Sequence, residues 1–262
     1  MQSVDPPLKR KVKARLYLNA VLPAFEALLD YSEEARKIVN DRHFSICFQT
    51  SSGQKSQLHF KNQKCTFKKT RARNSDIILH FITEDHLNKE FENEGFRVPI
   101  PLKGASRVTD IKAFKALTSA LEDYLRPPEG ALEDPIFHKR HVTMQLDIAL
   151  RATVVLTEHE PRSNRIMKDT PDGIAHFAIG DDDLGAWLEW KNGNLTTGKG
   201  KPERTPDASV IFANPETALK AVGNKIDVMA AVGMGDIKVS GLIPLADALG
   251  YIFERIPLYI QP

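Results

Sequence analysis

The apolar positions change their period along the chain, and they do so twice in the same order. Val12, Leu16, Val21, Leu22, Phe25, Leu28, Leu29 and Ile38 recur at helical spacing, after which Phe44, Ile46 and Phe48 alternate with smaller or polar neighbours. The first pattern predicts an amphipathic helix and the second a half-buried strand. Pro23 is expected to kink or divide the helix, because it lacks the backbone donor a helix interior needs. The turn Ser52-Gly53, strands over 55–61 and 64–69 flanking Asn62-Gln63, and the apolar run Ile77 to Phe81 follow. Thr83 then suits the N-cap of a short helix that Gly95 would stop.

The second half carries the same succession with clearer punctuation. A helical stretch from about Pro135 to Glu158 leads into the polar segment Pro161 to Gly173, read as a loop. Strands are expected at about 174–180 and 185–191, with Asn192-Gly193 as the strongest two-residue hairpin signal in the chain. The strand Ala208 to Ala213 meets Asn214-Pro215, an N-cap followed by proline at the first helical position. A helix to Val222, a shorter one near Asp227 to Val232, the strand Ile237-Lys238-Val239 and a last helix from about Pro244 complete the unit.

The two halves also match residue by residue. Leu58, Phe60, Lys61, Asn62 and Thr66 stand 130 positions before Leu188, Trp190, Lys191, Asn192 and Thr196. After a slip of one residue, Asp76, Phe81, Thr83, Leu87 and Lys89 stand 131 before Asp207, Phe212, Asn214, Ala218 and Lys220. An internal repeat of this kind decides the organisation: two tandem α+β domains, 1–127 and 128–262, each a mixed, mostly antiparallel sheet covered on one face by helices. Arg126-Pro127-Pro128-Glu129-Gly130 serves as linker, since neither proline can continue a helix.

Composition narrows the functional classes. The chain has 262 residues, 42% of them apolar, and a formal net charge of +2, ordinary values for a globular protein and unlike collagen or low-complexity disorder. Residues 1–130 hold 22 basic and 16 acidic side chains against 14 and 18 in residues 131–262, so the halves carry opposite signs. That favours contact between the two domains over a nucleic-acid partner, which calls for a concentrated basic stripe. Two cysteines, Cys47 and Cys65, are too few for a disulfide framework and suit a reducing cytoplasm. The stretch Leu16 to Leu29, interrupted by Asn19, Pro23 and Glu26, does not read as a secretory signal, and no run is long enough for a membrane span.

The series Asp207-Ala208-Ser209-Val210-Ile211-Phe212, Leu219, Gly223-Asn224-Lys225-Ile226-Asp227, Ala230-Ala231 and Gly235-Asp236-Ile237-Lys238-Val239-Ser240-Gly241 resembles the sterol carrier protein 2-like domain. The resemblance includes the Lys191-Asn192-Gly193 turn and covers about 136–260. The first copy matches only to about Glu90, because Pro99 and Pro101 fall where the family has a regular strand, leaving an edge strand at best. The resemblance implies a non-enzymatic carrier without cofactor, whose apolar tunnel holds a fatty acid, fatty acyl-CoA, sterol-like lipid or phospholipid. Lining residues are expected at Leu188, Trp190, Val210 and Phe212 on the strands. Met229, Val232 and Met234 would join them from the short helix, and Leu245, Leu249, Ile252 and Phe253 from the last helix. The alternative for all of these is a packed core, since apolar stripes commonly fill volume.

Other constellations are weaker. His138 and His141 share a helix face and Glu158-His159-Glu160 ends the same segment, which suggests a metal-assisted enzyme around His138, His141 and Glu158 only if the helix breaks. One straight helix separates the two groups by about 30 Å. A third reading is a scaffold that uses the duplicated fold for protein contacts alone. The basic set Lys61, Lys64, Lys68, Lys69, Arg71 and Arg73 alternates as a solvated strand face would. The run Lys9, Arg10, Lys11, Lys13, Arg15 offers transient contact with an anionic membrane surface. Cys47 and Cys65 are expected to be inert buried thiols, and Asp181-Asp182-Asp183 an acidic turn without calcium-loop spacing.

Overall fold

The computed structural model describes residues 4–69, 74–94, 98–180 and 185–260. Gly95, Arg71, Arg73 and Asp181 to Asp183, singled out above, lie outside the described residues. The chain forms two compact units, Met1–Pro128 and Glu129–Pro262. Both are α+β, each with one five-stranded mixed sheet. Among the described residues no helix is long and apolar enough to cross a membrane.

In unit 1 the leading helical pattern is divided as Pro23 requires. Helix α1 (Pro6–Leu16) runs into a π-helical turn at Tyr17–Val21, where the Leu22 amide donates to the Tyr17 carbonyl at 3.0 Å, and α2 (Ala24–Tyr31) resumes beyond Pro23. The widened turn absorbs the missing donor. Ser32 caps α3 (Glu33–Ile38) by accepting from the Ala35 amide. Strands β1 (Phe44–Thr50), β2 (Lys55–Lys61), β3 (Lys64–Lys68) and β4 (Ile77–Phe81), helix α4 (Glu84–Phe91), strand β5 (Ile100–Lys103) and helix α5 (Val108–Leu125) follow. The sheet order is β3-β2-β1-β4-β5, with β1 and β4 parallel and the other pairs antiparallel.

Unit 2 repeats this plan. Helices α6 (Pro135–His159) and α7 (Pro161–Lys168) precede β6 (Gly173–Ile179), β7 (Gly185–Lys191), β8 (Asn194–Lys199) and β9 (Ala208–Phe212). Then come α8 (Pro215–Val222), α9 (Val228–Met234), β10 (Ile237–Gly241) and α10 (Ile243–Phe253). The order β10-β9-β6-β7-β8 is the same topology, with β6 and β9 as the parallel pair. Asn62-Gln63 and Asn192-Gly193 both adopt positive φ, the two-residue turn that matches strand twist. Thr83 and Asn214 cap α4 and α8, accepting from the His86 and Thr217 amides.

Three expectations change. The segment Pro161 to Gly173 is not wholly loop: Pro161 starts α7, its fixed φ suiting the first helical position. Helix α5 was not expected, and its buried stripe of Ala113, Leu117, Leu121 and Tyr124 closes unit 1. The repeat also extends past Glu90. Pro99 and Pro101 do confine β5 to the sheet edge, with a register shift between Ile78 and Leu79, yet it occupies the place β10 holds in unit 2.

The same device joins the parallel strands in both units. Asp76 Oδ2 accepts the Ser45 amide at 2.9 Å, and Asp207 Oδ2 accepts the Ile174 amide at 2.7 Å. Arg107 pairs with Asp76 and Arg204 with Asp207, both at 3.0 Å. Gly104 (φ +81) follows β5 and Gly241 (φ +83) ends β10, and a Cβ on either would run into the carbonyl of Asp76 or Asp207. Gly241→Ala and Gly104→Ala are each expected to cost about 1–3 kcal/mol in denaturant unfolding. Gly250→Ala, a helical position with open space around it, is expected to stabilise by about 0.5–1 kcal/mol.

Candidate functional site

The helix-covered face of the unit 2 sheet is set by strand parity. Phe177 of β6 meets the Phe253 ring of α10 edge-on at 5.4 Å, so its side of the sheet faces the helices. Ala175 and Gly173 share that side, with Leu188 and Trp190 opposite them on β7. Val210 stands opposite Phe177 on β9, Val239 opposite Val210 on β10, and Phe212 opposite Ile179 and Ile237. Helix α6 contacts β7 and β8, α10 contacts β6, β9 and β10, and α9 contacts β10.

The residues expected to line a ligand site separate into two sets. Leu188, Trp190, Phe212, Leu245, Leu249 and Ile252 are buried. Trp190 spends its indole N–H on the Thr170 carbonyl at 3.1 Å, which fixes the ring as packing. Near Gly173 the helix closes on the sheet, since an added Cβ would stand 3.1 Å from Leu245 Cδ2 and 3.2 Å from Leu242 Cδ2. The other set is accessible. Val210 and Phe253 are half-buried although both belong to the inward-facing layer. Helix α9 is more open still: Met229 is 80% and Met234 70% exposed, Val228 and Val232 are exposed, and Ala231 alone is buried.

On the same side of the sheet Val239 is half-buried as well, like Val210 and Phe253. Val239 and Val228 are not among the lining residues expected from the sequence. The signal was present in the alternation of Ile237 and Val239 with Lys238 and Ser240, which assigns Val239 to the inner face. A helix that reads Val-Met-Ala-Ala-Val-Gly-Met carries no polar side chain, and its shelter from water is incomplete.

Around this strip the polar chemistry is structural. Glu160, at the junction of α6 and α7, is buried and accepts from Arg255 Nε at 2.8 Å, from Tyr259 Oη at 2.8 Å, and from Arg255 Nη2 and Ser163 Oγ. Burial alone would raise its pKa, but the hydrogen bonds from Arg255, Ser163 and Tyr259 outweigh it and hold the carboxyl below the ordinary glutamate range. This network fastens the chain that follows α10 to the α6–α7 corner. Ser163 is a local partner, but Arg255 and Tyr259 lie 95 and 99 positions from Glu160, beyond the reach of any local sequence signal.

The proposed metal grouping does not assemble. Helix α6 is unbroken from Pro135 to His159, so His138 and Glu158 remain about 30 Å apart. His141 is buried, Glu158 is exposed and faces His159 at 3.3 Å, and Glu160 is engaged by Arg255. Among the described residues no group of three or more His, Cys, Asp or Glu side chains is placed to hold a metal ion. Lys64, Lys68 and Thr66 are exposed while Cys65 is buried, a solvated strand face. Lys9, Arg10 and Lys11 are exposed, whereas Lys13 pairs with Glu92. Cys47 and Cys65 are free and buried, and burial pushes both thiols up, Cys47 to about 11.

No family model matches the chain, and no curated protein matches it in sequence. Solved structures do. The sterol carrier protein domain 2 of Helicoverpa armigera is 15% identical, covers 45% of this chain and 92% of its own, and has a TM-score of 0.33. The sterol carrier protein 2 of Yarrowia lipolytica in its apo form is 19% identical over 39% of this chain and 92% of its own, with a TM-score of 0.31. A stereoselective inverting sec-alkylsulfatase from Pseudomonas sp. is 13% identical over 60% of this chain and 29% of its own, with a TM-score of 0.27. At these identities and scores the functional reading rests on the site's own residues.

Acid should loosen the site. Glu160 binds its proton less readily folded than unfolded, so its network stabilises fully above the ordinary value of 4.5 and is lost as pH falls through the lowered folded value. Burial and then Lys201 hold His176 below 6.5, so it destabilises in the same direction, beginning below that pH. Denaturant unfolding is expected to show falling stability from pH 7 to pH 3. Glu160→Gln is expected to cost about 3–5 kcal/mol at pH 7 and to flatten the lower part of that profile.

Proposed function

We infer that the carboxy-terminal unit binds a long-chain apolar ligand, a fatty acid, fatty acyl-CoA, sterol-like lipid or phospholipid, without transforming it. The ligand lies against the inner face of β9 and β10 and is covered by α9 and α10. The observation that carries this reading is the half-burial of Val210, Val239 and Phe253 on the helix-covered side of the sheet, together with the exposed Met229, Val232 and Met234 on α9. Such surface is costly in water and gains about 0.8 kcal/mol for each methylene it buries, so a chain of about a dozen carbons supplies on the order of 10 kcal/mol before binding costs. Specificity then rests on shape and on side-chain adaptability, which methionine provides.

The two free buried thiols suit a reducing cytoplasm. Protein purified without detergent is expected to show a lipid adduct in native mass spectra and to take up cis-parinaric acid. Val210→Asp and Met229→Lys are expected to weaken that uptake about tenfold or more while circular dichroism is unchanged. A clean apo mass together with no uptake overturns the reading and favours a protein-contact scaffold.

A further inference from the structure

We propose that the helix-free face of the unit 1 sheet docks on an anionic lipid bilayer. Docking of this face stands whether or not unit 2 carries a ligand. Phe60 of β2 meets Phe25 of α2 edge-on at 6.2 Å, which turns Ser56, Leu58 and Phe60 toward the helices and Lys55, Gln57, His59 and Lys61 away from them. Register carries that assignment across the sheet. Lys64, Thr66 and Lys68 of β3 stand opposite Lys61, His59 and Gln57, and Lys103 of β5 stands opposite Ile78, whose other neighbour Cys47 pairs with Gln57. Lys55, Lys61, Lys64, Lys68 and Lys103 are all exposed, and none of the five strands contains an acidic residue. Five positive charges thus share a surface about 20 Å on a side with nothing of opposite sign among them.

The duplicated sheet shows that the fold does not need these charges. Lys55, Lys64 and Lys68 correspond by register to Gly185, Asn194 and Gly198 of unit 2, and His59 to Glu189. Lys61 and Lys64 are moreover direct cross-strand partners. Like charges in that position cost stability in the free protein, and an anionic surface relieves the repulsion.

An apolar margin completes the face. Ile100 stands opposite His80 and so projects on the lysine side. Val98 and Leu102 flank it in the chain, Ile82 directly follows β4, and the four are between 42% and 61% exposed. Lysines attract anionic headgroups, and exposed aliphatic side chains enter the boundary between headgroups and acyl chains. Nucleic acid fits this face less well. The strands place no Phe, Tyr or Trp on this side to stack on bases, and a flat face of five strands is too broad to enter a groove about 12 Å wide.

Co-sedimentation of the full chain with sucrose-loaded vesicles tests this. In about 0.1 M NaCl the wild type is expected to sediment with phosphatidylcholine vesicles containing about 30% phosphatidylserine and not with pure phosphatidylcholine. Most of it is expected to be released at about 1 M NaCl, where the Debye length is about 3 Å. Lys61→Glu, Lys64→Glu and Lys68→Glu together are expected to weaken partition about tenfold or more with circular dichroism unchanged. Ile100→Ser, which leaves the charge as it is, is expected to weaken it about threefold. Lys9→Glu, Arg10→Glu and Lys11→Glu together change the net charge equally and are expected to cost no more than about twofold. Failure of the wild type to sediment with the phosphatidylserine vesicles overturns the proposal, as does wild-type partition by the β2–β3 lysine variant. A loss in the Lys9, Arg10 and Lys11 variant as large as in the sheet variant moves docking to α1 and also overturns it. Binding of a short DNA duplex at the same salt, with none to the vesicles, assigns the face to nucleic acid instead.

Discussion

A five-stranded sheet covered by helices on one side has a fixed inward area, and the size of the side chains on that face decides how closely the helices approach. Where Gly173 stands on β6, Leu242 and Leu245 descend to contact distance and the layer is closed. On β9 and β10 the inward Val210 and Val239 are half-buried, between buried Ala208, Phe212 and Ile237. In unit 1 the corresponding face carries phenylalanines, and the rings contact one another.

Polar groups hold this arrangement without entering the apolar strip. Asp76 and Asp207 each accept a backbone amide at the start of the parallel pairing and each meet an arginine, so the topology that brings β4 beside β1 and β9 beside β6 is tied at the same point in both copies. Glu160 ties unit 2 together over a longer range. It is buried with Arg255, Ser163 and Tyr259, a charge whose desolvation is tolerable only because its oxygens are fully engaged. It fixes the segment that follows α10 to the α6–α7 corner.

Most of the architecture could be read from period and punctuation. The alternation of Phe44, Ile46 and Phe48, the Asn192-Gly193 turn, and the caps Thr83 and Asn214 act over a few residues, and each is found where local chemistry places it. The readings that changed involved competing local signals. Polar Pro161 to Gly173 looked like loop because a short helix exposes most of its length, and Pro99 and Pro101 hid β5 because an edge strand tolerates what a central one cannot.

The site was legible only in part. Apolar identity and strand parity assign Val210, Phe212, Leu188 and Trp190 to one face, because side chains alternate along a strand whatever else the protein does. Which of them would be sealed and which accessible depends on how near α10 and α9 lie to the sheet, and on a carboxylate anchored 95 residues away in the chain. Periodicity thus specifies the direction in which each residue points. The distance to whatever it faces is settled by packing between elements remote in sequence, and that distance separates a filled interior from one able to receive a guest.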